Sequence, residues 1–380
     1  MKLKLVAASL LAVCTLSARA EVTLGAVLSL TGPAASLGIP EKNALSLLPA
    51  TVGGEKLKVI ILDDASDPTL AVQAVKKLTA ENNADVIIGA STTGAALAMI
   101  DTIFESKTPN VSLAASSRVT GPMDEKRQWM FKTIPNEAQP AERTVKHMQA
   151  AGIKKIGFIG FADAYGDTWL EALRKATTAA GIEIQTVERY VRTDTSVVAQ
   201  TLKLLSTKPD AVFIAGSGTP AALPQLALTE RGFKGLVYQT YGIANNDFLR
   251  VSGKAAEGAV FAVAPVVVAE QLPEGNPTRK VAMELIQRYE AAFGAGSMNV
   301  FTSNAWDAWL LTEHALTAAL KLAKPGTPAF RKAVRDALEG TKGLVSSQGI
   351  FNMTPTDHVG YDLRASVMVQ IKDGKWRLLD

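Results

Sequence analysis

The chain of 380 residues is poor in the side chains that build metal and redox centres: it has one cysteine, Cys14, and three well-separated histidines, His147, His314 and His358. That set cannot assemble a thiolate or imidazole cage, so neither a metal nor a cofactor is expected. Neither sign of charge dominates, with 40 Lys and Arg against 36 Asp and Glu, and no long basic run occurs. A nucleic-acid footprint is thereby excluded. Aromatic residues make up 6%, charged residues 20% and apolar residues 47%, a globular balance that rules out disorder, collagen and coiled coil. Beyond the first twenty residues no stretch reaches the roughly 18 uninterrupted apolar residues of a membrane span. The most apolar stretch, Ala255 to Ala269, is broken by Glu257 and Pro265.

Catalytic signatures are missing too. There is no G-x-x-x-x-G-K-[ST], no G-x-G-x-x-G after the first predicted strand, no G-x-S-x-G and no Ser-x-x-Lys. Gly216-Ser217-Gly218 follows a predicted strand but reads more simply as a flexible turn than as a phosphate cradle. Asp63-Asp64 at a strand end reads as solvated or capping acids rather than a cation site. His147 and His314 fall within helical patterns, where surface or packing roles are the simpler reading. Nothing supports an enzyme.

What is present begins with a leader. Lys2 and Lys4 precede an uncharged, mostly apolar stretch from Leu5 to Leu16, and Ala18-Arg19-Ala20 is a small-x-small cleavage signal. Twelve helical residues span only ~18 Å, short of a bilayer core, so residues 1–20 are predicted to be a secretory signal peptide. Leu11-Ala12-Val13-Cys14 faintly resembles a lipobox, but Val13 is the wrong size for one, so lipid anchoring at Cys14 is the weaker reading. Cleavage after Ala20 leaves a mature chain without cysteine. A soluble protein of the periplasm is expected.

From Val22 onward short β-branched runs alternate with amphipathic ones. Strands are predicted at Val22–Leu28, Leu57–Leu62, Asp85–Ile88 and Asn110–Leu113, with helices at Leu37–Leu48, Thr69–Glu81 and Gly94–Ser106 between them. The pattern restarts with strands at Lys155–Phe161, Ile182–Tyr190, Ala211–Ala215, Gly235–Tyr238 and Gly258–Ala264, separated by helices at Thr168–Ala180, Ser196–Ser206 and Pro220–Arg231. After Pro277 come helices at Arg279–Phe293, Thr302–Leu322 and Pro328–Leu338, then strand character at Ala365–Ile371 and Trp376–Leu379. Strand–helix–strand repetition implies α/β architecture with mainly parallel sheets covered on both faces.

In open α/β sheets, ligands lie beyond the carboxyl ends of strands. Two such positions carry hydroxyls at helix starts: Ser91-Thr92-Thr93-Gly94 after the third strand and Ala114-Ala115-Ser116-Ser117 after the fourth. Hydroxyls and free amides there suit a carboxylate, although N-capping alone also explains them. The second unit adds tyrosines at its own loops, Tyr165-Gly166 and Tyr241-Gly242, each offering a ring face and a hydroxyl.

With these residues in place the chain resembles the leucine/isoleucine/valine-binding family of periplasmic solute-binding proteins that serve ABC importers. The resemblance spans nearly all of residues 21–380. It rests on Ala26-Val27-Leu28-Ser29-Leu30-Thr31-Gly32-Pro33, on Asp63-Asp64, on Val86-Ile87-Ile88-Gly89 with its Ser/Thr loop, on Ser112-Leu113-Ala114-Ala115-Ser116 and on Tyr165-Gly166. It implies a type I periplasmic binding fold: two doubly wound lobes joined by a hinge with several chain crossovers. Lobe 1 would comprise residues 21–135 and 265–345, and lobe 2 residues 136–264 and 346–380. It further implies that Ser91, Thr92 or Thr93 and Ala114, Ala115 and Ser116 hold a ligand carboxylate, that Asn136 stands where amino-acid binders often place an acid, and that Tyr165 covers the ligand from the second lobe. Ser217 stands where a Tyr is common. Tyr241 stands where those binders place the Glu that pairs with the α-ammonium.

A buried ammonium without an anionic partner costs several kcal/mol, so loss of that Glu favours aromatic or other apolar organic acids over amino acids, unless neighbouring Glu137 substitutes. The expected partners are thus a small carboxylate and an inner-membrane permease, with the protein itself a monomer. Branched-chain or other amino-acid binding, and service as the ligand-sensing part of a signalling system, remain the alternatives.

Overall fold

The computed structural model describes residues 21–379; the predicted signal peptide, with Cys14, lies outside them. The first sheet is built from β1 (Glu21–Leu28), β2 (Thr51–Val52), β3 (Glu55–Asp63), β4 (Val86–Gly89), β5 (Asn110–Ser112) and β6 (Met130–Lys132), in the order β2-β3-β1-β4-β5-β6. All pairs are parallel except the short β2–β3 ladder. Helices α1 (Ala35–Leu45), α2 (Pro68–Lys76) and α3 (Thr93–Ser106) connect the strands. Val86, Ile87 and Ile88 are each completely buried, as expected of a parallel strand covered on both faces. Val27 and Ile87 pack with α2 and α3 on one face, whereas Val22, Leu24, Ala26 and Ile88 point to the other. Asp67 caps the start of α2, accepting hydrogen bonds from the amides of Thr69 and Leu70. The single helix expected to Glu81 instead finishes in a π-helical turn at Lys77–Glu81.

The chain then crosses over. After α4 (Ala138–Ala150), β7 (Lys155–Phe161), α5 (Ala164–Ala180), β8 (Glu183–Tyr190), α6 (Val198–Ser206), β9 (Ala211–Ala215), α7 (Ala222–Glu230), β10 (Leu236–Gln239), α8 (Asn246–Ser252) and β11 (Val260–Val263) form the second α/β unit. α9 (Arg279–Phe293), α10 (Val300–Ala319) and α11 (Pro328–Glu339) follow, with α10 packed on α1, α11 and β4 of the first unit. A hairpin of β12 (Lys342–Val345) and β13 (Ile350–Asn352) precedes β14 (Val367–Lys372) and β15 (Lys375–Leu378), which return to the second sheet. That sheet reads β15-β14-β11-β10-β9-β7-β8, parallel from β11 to β8 and antiparallel at the two C-terminal strands.

The chain therefore passes between the units three times, after β6, after β11 and after β13. The sequence expects the first two passages at 135/136 and 264/265; Pro265–Gln271 still packs on β15, with the Gln271 side chain hydrogen-bonded to Trp376 and Leu378. The third expected boundary, 345/346, cuts between the paired strands β12 and β13. Ser347 also donates its amide and hydroxyl to Asp307 of α10, and His358 accepts the Lys132 amide and stacks on Phe131, so the chain stays with the first unit beyond β13.

Candidate ligand-binding cleft

Each sheet reverses its winding at one strand, β1 flanked by β3 and β4 in the first and β7 flanked by β8 and β9 in the second. Loops leaving the carboxyl ends of neighbouring strands diverge at such a point and leave a crevice. The two crevices face each other across a small cavity. From the first unit it is lined by Leu37 after β1, Ser91, Thr92 and Thr93 after β4, Leu113 and Ala115 after β5, and Ile134 after β6. Tyr165 after β7, Arg192 after β8, Ser217 after β9 and Tyr241 and Gly242 after β10 line it from the second unit, and Phe301 of α10 completes it.

Seven of the ten residues proposed from sequence thus share one cavity: Ser91, Thr92, Thr93, Ala115, Tyr165, Ser217 and Tyr241. Three do not line it, each for a local reason. Ala114 faces the core beside Val119 and Met130. Ser116 caps a short helical turn, its hydroxyl accepting the Arg118 amide, so N-capping accounts for it. Asn136 lies in the first crossover and accepts a hydrogen bond from the buried Lys132 ammonium at 2.7 Å. Lys132 also donates to the Ala115 carbonyl at 2.5 Å, and burial lowers its pKa to about 8. Asn136 therefore steadies the Ala115 loop from behind.

The first-unit wall is arranged for an anion. Thr92 is the cap residue of α3 yet makes no side-chain capping bond, and Thr93 Oγ1 is buried without a partner. The amides at the start of α3 are left to face the cavity with the positive end of the helix dipole. Ser91 Oγ accepts the Ser29 amide at 3.0 Å and is hydrogen-bonded to the carboxyl of Glu41.

Glu41, on α1, is fully buried. Desolvation raises its pKa well above the usual carboxylate value; the bond to Ser91 opposes the shift and the charge of Asp64 reinforces it. Ser91 Oγ donates to Glu41 Oε2, which commits the serine proton to that carboxyl. The sign for stability follows. The folded chain holds a proton that the unfolded chain releases above 4.5, so this group's contribution to stability falls as pH rises past that value. Glu41→Gln, which does not titrate, is expected to gain stability on the parent as pH rises from about 4 to about 8. Urea unfolding of both proteins across that range measures the gap, and a gap that stays constant would show Glu41 to be ionised in the fold.

Arg192 dominates the second-unit wall, and no sequence motif announces it. Its Nε donates to Asp163 at 2.9 Å and its Nη1 to Ser217 Oγ at 3.0 Å. Its guanidinium lies 4.0 Å from the centre of the Phe161 ring. Asp163 in turn caps α5, accepting the amides of Tyr165 and Gly166. One carboxylate thereby orients both the cation and the helix that carries Tyr165. Tyr165 donates to Thr240 Oγ1 at 2.7 Å and packs against Phe161 and Trp169. It is a core ring as well as a wall, so truncating it removes packing along with any ligand contact. Tyr241 is 7% exposed and its hydroxyl has no hydrogen-bond partner. Burial holds the pKa of both phenols above the ordinary tyrosine value, which keeps them as donors. No carboxylate is among the lining residues. Among the described residues, no cluster of His, Cys, Asp and Glu that could hold a metal ion occurs and no helix is long and apolar enough to cross a membrane.

Two α/β units, three crossovers and a closed cavity at paired switch points define a type I periplasmic binding fold. Residues 21–375 match the periplasmic binding protein family model, and the chain belongs to that family of extracytoplasmic solute receptors. It is similar to an extracellular ligand-binding receptor from Rhodopseudomonas palustris HaA2, with 46% identity, a TM-score of 0.92 and coverage of 94% of this chain and 99% of that one. It is similar also to Leu/Ile/Val-binding protein homolog 3 of Brucella melitensis biotype 1, 26% identical over 299 residues, 76% of this chain and 77% of the relative. The fold is shared with a solute-binding protein of an R. palustris ABC transporter solved with benzoate, with 22% identity, a TM-score of 0.81 and coverage of 94% and 95% of the two chains.

Proposed function

We propose that the protein captures a small organic anion with an apolar, aromatic body between its two α/β units and hands it to the permease of an ABC importer. The carrying observation is that Arg192 is the sole charged side chain among the lining residues, set opposite the uncapped start of α3. The cation and the amides neutralise a carboxylate, while Leu37, Leu113, Ile134, Phe301 and the two tyrosine rings enclose the remainder. Contacts from both walls exist together only when the units are closed, so ligand favours closure by as much as those contacts are worth. The benzoate held by the R. palustris neighbour has this chemistry.

One observation favours amino-acid binding. Glu137 is 1% exposed, its Oε2 accepts the Ser117 amide, and its Oε1 has no hydrogen-bond partner. Its charge also raises the pKa of Tyr165 and Tyr241. However, it does not line the cavity; it lies along the groove that runs past Asn136 and Thr168. Isothermal titration of the purified protein separates the readings. Benzoate is expected to bind at micromolar concentration or below, and leucine about a hundredfold more weakly, since its ammonium would be buried unpaired. Tight leucine binding with no response to benzoate would overturn the proposal and make Glu137 the ammonium's partner.

A further inference from the structure

Tyr241 and Ile134 each line two cavities. Behind them, on the side of the crossovers, a second, small chamber is bounded by Pro135, Ala262, Val300, Asn304, Gln348 and Ser366, among others. No charged side chain lines it. It is nonetheless polar in an unusual way. Asn304 is 1% exposed and Ser366 4% exposed, yet the amide oxygen and nitrogen of Asn304, the hydroxyl of Ser366 and the phenol of Tyr241 all lack hydrogen-bond partners. Buried polar groups in a folded protein are nearly always paired, and leaving one unmade is costly. With the amide nitrogen of the buried Gln348, five such atoms surround one chamber that adjoins the ligand cavity, and they call for a hydrogen-bonding partner.

We propose that this chamber is a second ligand subsite, taking an uncharged hydrogen-bonding group (a phenolic hydroxyl, an alcohol or a carbonyl) at the end of the bound acid remote from its carboxylate. The inference rests on the acid-binding reading of the neighbouring cavity. The chemistry of the wall sets the class. An amide that both donates and accepts, together with two hydroxyls, satisfies a neutral polar group. A second carboxylate or an ammonium would find no counter-charge there and would be desolvated without compensation. The chamber is walled by the connections after β6 and β11, the start of α10 and the segments either side of β13, so a group held there also ties the crossovers together in the closed form.

Titration calorimetry with matched pairs tests it: benzoate against 4-hydroxybenzoate, phenylacetate against 4-hydroxyphenylacetate, and terephthalate as the doubly charged control. In the parent protein the hydroxyl is expected to tighten binding about tenfold or more in at least one pair, with terephthalate weaker than benzoate. In Asn304→Leu and in the milder Ser366→Ala the ratio within that pair is expected to fall to less than about twofold. Equal affinity within both pairs of the parent, or a ratio that survives both substitutions, would overturn the subsite while leaving the acid-binding cavity intact. Failure of every acid, with leucine bound instead, would overturn the reading beneath it.

Discussion

Replacing Arg192 with Gln is expected to weaken benzoate binding roughly a hundredfold or more while the unliganded protein still folds, because truncating one side of a buried charge pair costs about 2–5 kcal/mol. The guanidinium meets Asp163 and Ser217 through Nε and Nη1, which fixes its plane and leaves the rest of the fork for a carboxylate. Without it a ligand anion would face only hydroxyls and the dipole of α3, worth about 2 kcal/mol at most. The fold survives because Asp163 keeps its capping bonds to the amides of Tyr165 and Gly166, and its side chain retains 34% exposure to water. Arg192→Lys, which keeps the charge and loses the fork, is expected to fall between parent and Gln variant. Calorimetry of both variants, with thermal unfolding of each in the absence of ligand, is the measurement. Unchanged affinity in the Gln variant would place the carboxylate elsewhere.

A second large effect is expected at Gly166. An added Cβ there would stand 2.0 Å from the Phe161 carbonyl oxygen and 2.9 Å from the Arg189 guanidinium. The first turn of α5 lies against the end of β7 with no room for a methyl group, and the obstacle is backbone, which cannot swing aside. Gly166→Ala is expected to cost about 3 kcal/mol of unfolding free energy, read from denaturant midpoints. Binding should weaken with it, since the helix start that must move carries Tyr165 and is capped by the carboxylate that orients Arg192. A variant within about 0.5 kcal/mol of the parent would show that α5 can slide freely.

The strands were readable because parallel strands covered on both faces are written as short β-branched runs: Val86–Gly89 and Ala211–Ala215 could be little else. The short strands escaped notice for the opposite reason. Three residues at Met130–Lys132, one of them a lysine, and the exposed Lys342 and Gly343 of the β12–β13 hairpin carry no periodic signal, and tertiary pairing alone makes them strands. In the cleft, Ser91–Thr93 could be found because hydroxyls clustered after a strand and before a helix have few uses, and Tyr165 and Tyr241 because each precedes a glycine in a loop after a strand, while Ser217 was placed by family resemblance. Arg192 went unseen because it follows an edge strand in a stretch of alternating charge, Val191-Arg192-Thr193-Asp194, that reads as a solvated turn. Glu41 went unseen because a glutamate beside Lys42 in an amphipathic helix reads as surface. Its burial comes from the close approach of α1 to the end of β1, where a Cβ on Gly38 would stand 2.1 Å from the Ser29 carbonyl oxygen. Only that glycine, three residues before the glutamate, hinted at such an approach.

The placement of α10 bears on how the chain is made. One face of the first sheet is finished by α2 and α3, which a ribosome delivers along with the strands themselves. The opposite face, covered in part by α1, is completed only by α10, whose Trp309, Leu311 and Ala315 are buried in the same cluster as Val22, Leu24, Ile88 and Leu45 of α1. A nascent polypeptide therefore carries a partly uncovered apolar surface until residue 319 has emerged, long after the strands beneath it were synthesised. Prematurely terminated products would display that surface to chaperones and proteases. A fragment that ends before Phe301 of the same helix also lacks one side of the ligand cavity.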